Sequence, residues 1–264
     1  MLRSITAVPL LLAAPVPTYA QDIPERHLNI PERHLAARED HSVHITLNPY
    51  LWVPVVSGTT ALGPLTVPVR VTPGDFAAGF RIGGMGCLAV DDGSRFAFAD
   101  AVVVDYRNGN FRPFFGQALT SKVRFGQFGV GVHKSVSVGG RAVEISPYVG
   151  VQHLRIGSLV TGNLITATGD GDWTSPLAGV SASVPLRHNL RLDTEASAAG
   201  FGAFDTDYRN AQIALEWDVA RRVAIDAGYR WAKGRYASVT GLALDLHAGG
   251  PTVGLRYRFA VGGR

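Results

Sequence analysis

The chain has 264 residues, of which 46% are hydrophobic and 17% are charged, with a formal net charge of +4 at pH 7. About a quarter of a soluble globular protein is usually charged, so this chain is poor in charge. No window approaches the roughly 20 continuous apolar residues of a membrane-spanning helix. The small, evenly spread charge argues against nucleic-acid binding, and the single cysteine, Cys87, excludes an internal disulfide.

Residues 1–20 have the features of an export signal. Arg3 provides the positive charge, residues 5–14 are apolar, and the sequence Thr18-Tyr19-Ala20 has small residues at its first and third positions. We expect cleavage after Ala20 and export from the cytoplasm.

Residues 21–42 contain a tandem repeat of the sequence IPERHL, at residues 23–28 and 30–35. Pro24 and Pro31 interrupt any helix that this repeat could form. We interpret residues 21–42 as a polar periplasmic segment and assign no function to it.

From residue 43 onward, polar and apolar residues alternate with the period of two that is typical of β-strands. The alternation predicts ten strands, at residues 43–53, 78–90, 95–106, 121–136, 141–156, 173–185, 189–200, 207–219, 222–236 and 243–259. Each is long enough to cross a bilayer at a tilt, and bacterial barrels have an even number of strands. Residues 43–264 are therefore predicted to be all-β, an up-and-down antiparallel transmembrane β-barrel of about ten strands, within a range of eight to twelve.

The connections between these strands alternate in length. Short ones lie at residues 91–94, 137–140, 186–188 and 220–221, and mostly longer ones at 54–77, 107–120, 157–172, 201–206 and 237–242. Outer-membrane barrels have this alternation of short periplasmic turns and longer external loops, whereas a Greek-key sandwich does not require it.

Residues 66–72 also alternate and could form a further hairpin arm. Pro49, Pro147 and Pro251 lie inside predicted strands, where each is expected to mark a bulge.

The aromatic residues lie near the ends of the predicted strands, which suggests two rings at the membrane interfaces. The predicted external ring contains Tyr50, Trp52, Tyr106, Trp173, Tyr208, Trp231 and Tyr236. The predicted periplasmic ring contains Phe96, Phe98, Trp217, Tyr257 and Phe259.

Several segments carry a family resemblance: NPYLWVPVVSGT, GPLTVPVRV, DWTSPLAGVSASV, AAGFGAFD, AGYRW and the final GGPTVGLRYRF. With them, residues 43–259 resemble small Gram-negative outer-membrane β-barrel proteins of OmpA-like and OmpW-like design. The resemblance implies an outer-membrane location, contact with outer-membrane lipid and lipopolysaccharide, and insertion by the barrel-assembly machinery. It also implies that Tyr257 and Phe259 act as the terminal assembly signal, although five residues follow Phe259. It implies no cofactor, metal or nucleic acid, and it leaves the oligomeric state unknown.

Period two also predicts which charged side chains line the lumen. These are Glu144, Arg191, Asp193, Glu195, Glu216, Asp226, Arg230, Arg256 and Arg258. Both signs occur in comparable number, so the charges could form a salt-bridged plug or a constriction that selects small solutes.

Three functions remain open at this stage. The first is a non-enzymatic outer-membrane barrel with a structural or surface role, or with a narrow pore, and no catalytic residue. The second is a barrel enzyme that modifies lipid or peptide at the outer leaflet, with Asp205, Asp207 and His153 as the residues to test. The third is a soluble, lipocalin-like periplasmic binder.

Overall fold

The computed structural model describes residues 43–62, 65–111, 117–161, 166–202, 205–238 and 241–261. The predicted signal peptide and the IPERHL segment lie outside the described residues. No helix in the described part of the chain is long and apolar enough to cross a membrane. The described elements are β1 (Val43–Trp52), β2 (Val55–Leu62), β3 (Leu65–Val71), α1 (Pro73–Gly79), β4 (Phe80–Asp91), β5 (Arg95–Phe111), β6 (Gln117–Val132), β7 (Lys134–Val138), β8 (Arg141–Thr161), β9 (Thr166–Arg187), β10 (Leu190–Ala199), β11 (Thr206–Ala220), β12 (Val223–Ala237) and β13 (Leu242–Val261).

Ten of these strands close into an antiparallel barrel, in the order β1, β4, β5, β6, β8, β9, β10, β11, β12 and β13. The barrel closes where β1 pairs with β13, with Val43 opposite Val261 and Trp52 opposite Thr252. After a break at His133, β7 continues β6 against β8. The predicted up-and-down barrel of ten strands is confirmed.

We call the end of the barrel with the short connections the turn end, and the opposite end the loop end. At the loop end, β5 and β6 and also β8 and β9 continue well beyond the predicted strand limits. The β2–β3 hairpin pairs with the loop-end part of β13, which confirms that residues 66–72 form a hairpin arm. The unpredicted helix α1 follows, capped by reciprocal hydrogen bonds between Thr72 and Asp75.

The turn between β4 and β5 shows how the turn end is stabilised. The carboxylate of Asp92 accepts the backbone N–H groups of Ser94 and Arg95 at 2.9 and 2.7 Å, and Gly93 adopts a positive φ of 83°. These hydrogen bonds favour the ionised form and lower the pKa of Asp92 to about 2. Their stabilising effect is therefore complete at neutral pH and is lost as the pH falls towards that pKa.

The prolines interrupt hydrogen bonding without a register shift. Between β1 and β13 the pairing skips Pro49, yet Leu47 opposite Tyr257 and Tyr50 opposite Gly254 share one register. Pro251 lies where the partner of β13 changes from β2 to β1, and Pro147 lies beside the break between β6 and β7. The predicted bulges are wrong, because each proline lies at a gap in a ladder, where no N–H is needed.

The two faces of the barrel differ sharply. On β12, Ile225 and Trp231 lie on the exterior and are 40% and 48% exposed, while Asp226 and Arg230 are buried inside. The exterior of the other strands also exposes large apolar side chains, which are Leu47, Leu51, Leu88, Val90, Val103, Phe128, Val130, Val149, Val151, Val180, Ile213, Leu215, Trp217, Val253 and Leu255.

The prediction of two exterior aromatic rings is mostly wrong. Trp231, Trp217 and Tyr257 are exposed on the exterior. Most of the other aromatic residues point into the barrel, where Tyr106, Trp173, Tyr208 and Tyr236 are buried and Tyr50, Trp52, Phe96 and Phe98 pack against interior groups. Their outward-facing neighbours are often small, such as Ala97, Ala99 and Ala101, so the large apolar residue of an alternating pair is not always the exterior one.

Candidate functional site

The charged groups of the interior concentrate towards the turn end, around Glu216. This side chain is 0% exposed, and it forms ion pairs with Arg191, Arg256 and Arg258. Arg191 lies directly opposite Glu216 in the β10–β11 ladder, while the other two arginines project from β13.

Two further carboxylates complete the turn-end cluster. Asp193 lies 3.6 Å from Arg256, and Asp218 lies 3.1 Å from Arg258. The turn-end cluster, defined as Arg191, Asp193, Glu216, Asp218, Arg256 and Arg258, therefore balances three positive and three negative charges. Such pairing compensates for the removal of charged groups from water.

A second polar network surrounds Arg230, which is 5% exposed. Its guanidinium donates hydrogen bonds to Asn210 at 2.8 Å, Tyr50 at 3.3 Å and Tyr208 at 3.4 Å, and lies 3.7 Å from the Asp100 carboxylate. Tyr50 in turn donates to Asp100 at 2.9 Å. Because Asp100 is on β5 and Arg230 is on β12, this Arg230 network connects strands that are not neighbours in the barrel.

The remaining predicted charges also have interior neighbours. The Tyr148 hydroxyl donates to Glu195 at 2.6 Å, and Nδ1 of His133 lies 2.9 Å from Glu144. Asp226 is buried beside Gly254, where a Cβ would lie 2.7 Å from either carboxylate oxygen.

Apolar side chains fill the interior on the loop side. We define the loop-end core as Val102, Val104, Tyr106, Leu154, Ile156, Trp173, Leu177, Tyr236, Leu242 and Leu244, which are all buried. Its polar atoms are satisfied, since the Trp173 indole donates to the Ala237 carbonyl at 2.9 Å and Gln152 donates to the Tyr236 hydroxyl at 3.0 Å. The buried side chains therefore pack the interior in this region.

Several interior aromatic rings are accommodated by glycines. Phe98 covers Gly129, Phe96 covers Gly131 and Tyr148 covers Gly179, so that a Cβ at any of these glycines would overlap the ring. The interior is therefore filled by large rings packed against strand positions that have no side chain.

Gly179→Val is expected to destabilise the barrel by about 1–3 kcal/mol, the usual range for overpacking. A Cβ at this position would lie 2.3 Å from Cζ of Tyr148, so the ring would have to move and lose its hydrogen bond to Glu195. Urea unfolding in detergent micelles measures the change. Ala178→Val, which places the same side chain on the exterior face but adds two carbons instead of three, is the control, and equal stability of the two variants would contradict this packing.

The structure thus brings five of the nine predicted lumen residues into the turn-end cluster and puts Arg230 at the centre of its own network. It adds Asp100, which the sequence interpretation missed. The β5 segment FAFADAVVV is apolar at both odd and even positions, so its alternation does not show which residues point inward. Whether the lumen residues act on a solute, and whether Tyr257 and Phe259 are an assembly signal, stays a prediction.

The residues considered for an enzyme are not brought together. His153 lies on β8, 3.6 Å from Asp172 and 3.0 Å from Thr174. Asp207 lies on β11, 3.4 Å from Arg209, and Asp205 precedes it in the adjoining turn. Strands β9 and β10 separate His153 from the aspartates.

No family model and no curated protein matches this chain. Solved structures that match it include the translocator domain of the autotransporter NalP from Neisseria meningitidis, with 14% identity, a TM-score of 0.36, and coverage of 88% of this chain and 96% of that one. A major outer membrane protein from Thermus thermophilus has 16% identity, a TM-score of 0.36, and coverage of 83% and 100%. The N-terminal β-barrel domain of Pseudomonas aeruginosa OprF has 11% identity, a TM-score of 0.32, and coverage of 83% and 98%.

Proposed function

We propose that this chain is a non-enzymatic integral protein of the outer membrane of a Gram-negative bacterium, with a closed interior and a structural or surface role. The observation that carries the proposal is the distribution of polarity. Apolar side chains are exposed around the exterior, while the turn-end cluster and the Arg230 network lie inside. This arrangement suits a lipid environment, where backbone groups pair within the closed sheet and the exterior contacts acyl chains.

The height of the apolar exterior supports the same proposal. On β12 the outward-facing residues from Val223 to Trp231 are apolar or aromatic, and Lys233 is the first cation towards the loop end. At about 3.3 Å per residue and a tilt of about 40°, the rise from Val223 to Lys233 is about 25 Å. That is the height of the apolar band of outer-membrane barrels.

Cell fractionation of a Gram-negative host that expresses the full chain tests the location. The chain is expected in the outer-membrane fraction, insoluble without detergent, and its migration in detergent gels is expected to change on heating. A chain that is soluble without detergent after export would contradict the membrane assignment and favour the lipocalin-like binder.

The packed interior supports a barrel without an open pore. The loop-end core closes one half with buried apolar side chains, and the turn-end cluster fills the other with paired charges. Barrels of about this size are usually filled by their own side chains, whereas those of 16–18 strands leave a channel.

In planar bilayers the protein is expected to show no steady conductance at moderate voltage, because buried apolar side chains occupy the loop side of the interior. The measurement is single-channel current after insertion from detergent, with a 16-stranded porin as the positive control. A reproducible, stepwise current from the wild-type chain would contradict the closed interior and support the narrow-pore alternative.

A further inference from the structure

A row of basic side chains crosses the exterior of the barrel just beyond its apolar band. Arg209 lies directly opposite Lys233, Lys233 opposite His247, and His247 opposite Ser57. Directly paired residues of antiparallel strands have Cβ atoms about 4.5–5.5 Å apart. Four strands therefore contribute one continuous row of hydrogen-bond donors on the same face.

The next row towards the turn end differs in character. Trp231 lies between Ala211 and Gly249, and its ring packs against that of Tyr229 with centroids 4.5 Å apart. Because Ala211 and Gly249 are small, a groove of about 460 Å³ opens beside these rings. Arg209, Lys233 and His247 lie along the edge of this groove that faces the loop end. We call this surface the basic groove.

Two basic side chains of the basic groove are well exposed. The side chains of Arg209 and His247 are 73% and 55% exposed. Asp207 lies 3.4 Å from Arg209 and Asp245 lies 3.9 Å from His247, and both carboxylates belong to the next row towards the loop end. Among the described residues, no carboxylate lies within ion-pair distance of Lys233. Like charges directly opposite each other, such as Arg209 and Lys233, destabilise a sheet.

We propose that the basic groove binds the phosphorylated head group of an anionic lipid in the outer leaflet. The proposal rests on the proposed function and on a loop end that faces out of the cell, as the longer connections of outer-membrane barrels do. Outward from the apolar band, the order of groups is aromatic, then cationic, and then a mixed row in which Arg235 lies between Asp207 and Asp245. That order matches a lipid whose acyl chains meet the band and whose phosphate lies immediately above it.

A phosphate group suits the spacing of these donors. Its oxygens can accept charge-assisted hydrogen bonds from a guanidinium and an ammonium at once, and Arg and Lys are the usual phosphate-binding residues. Ser57 can contribute a hydroxyl donor at the end of the row. The acyl chains would lie along Trp231 and Gly249, so the attachment to lipid adds apolar contact that a free phosphate ion lacks.

The test uses the full chain folded in detergent micelles, with fluorescent diphosphorylated lipid A as the probe and its dephosphorylated form for comparison. Phosphorylated lipid A is expected to bind, and Arg209→Gln/Lys233→Gln is expected to raise its Kd by about tenfold or more, since each 1.4 kcal/mol corresponds to a factor of ten. The matched control is Arg124→Gln/Arg155→Gln. It removes the same charge from two exterior cations that lie directly opposite each other, one on β6 and one on β8, away from the basic groove.

An equal loss of affinity in the two double variants would overturn the site, because binding would then follow total charge. Equal binding of the two forms of lipid A would also overturn it. Inorganic phosphate alone is expected not to displace the probe, and displacement at similar concentration would overturn the assignment to a lipid. Heat-modifiable migration confirms folding of each variant. If the wild-type chain does not insert into phosphatidylcholine vesicles, the proposed function fails as well. If it inserts normally but does not prefer phosphorylated to dephosphorylated lipid A, only this inference is refuted.

Discussion

Glu216→Gln is expected to lower the free energy of unfolding by about 3–5 kcal/mol, the usual range when one partner of a buried ion pair is removed. The reason is that Glu216 is 0% exposed and is paired with Arg191, Arg256 and Arg258 together. The amide of Gln keeps the shape of the side chain but no longer neutralises the three guanidinium groups. They would repel one another at short range around the buried amide.

Equilibrium unfolding in urea, with the protein in lipid vesicles, measures this loss, and heat-modifiable migration reports the folded fraction. Asp218→Asn is the matched control, because Asp218 is partly exposed and, among the described residues, forms an ion pair with Arg258 alone. It is expected to lower stability by less than about 1 kcal/mol, as for an exposed pair. The double variant Glu216→Gln/Arg256→Gln is expected to recover part of the loss, since it removes one of the uncompensated charges. A single variant as stable as the wild type would contradict the central role of Glu216.

The strands and turns could be predicted because their signals are local. Alternation along each strand and turn residues such as Asp92 and Gly93 act over a few positions. The direction of a side chain was predictable where one face of a strand is clearly polar, as for Glu216 and Asp218 on β11. It was not predictable on β5, where alanine alternates with phenylalanine and both faces are apolar.

Features that depend on strand register could not be predicted. Arg209, Lys233 and His247 are far apart in the sequence, and only the pairing of β11, β12 and β13 brings them into one row. The same holds for Asp100 and Arg230, whose strands are not adjacent. Period two assigns a residue to a face of the sheet, whereas register and barrel closure decide which residues on that face are neighbours.

Arg230→Met is expected to destabilise the barrel by about 3–5 kcal/mol, because it leaves the buried charge of Asp100 without its ion-pair partner. The side chains of Arg230 and Asp100 are only 6% and 12% exposed. The substitution also removes the donor for Asn210 and one donor for Tyr50. The methionine fills much of the volume of the arginine stem, so lost packing contributes less than the lost charge.

A double-mutant cycle separates these contributions. Asp100→Asn alone is expected to leave Arg230 uncompensated, whereas Arg230→Met/Asp100→Asn removes both charges and should be more stable than the sum of the single losses by about 1–3 kcal/mol. Arg235→Met/Asp245→Asn is the matched control, because this pair is 3.2 Å apart but its side chains are 60% and 44% exposed. Its coupling energy is expected to stay below about 1 kcal/mol. Additive losses at Arg230 and Asp100 would show that the two charges do not stabilise the barrel through each other. Coupling at the buried pair alone would identify the Arg230 network as a brace between β5 and β12 across the lumen.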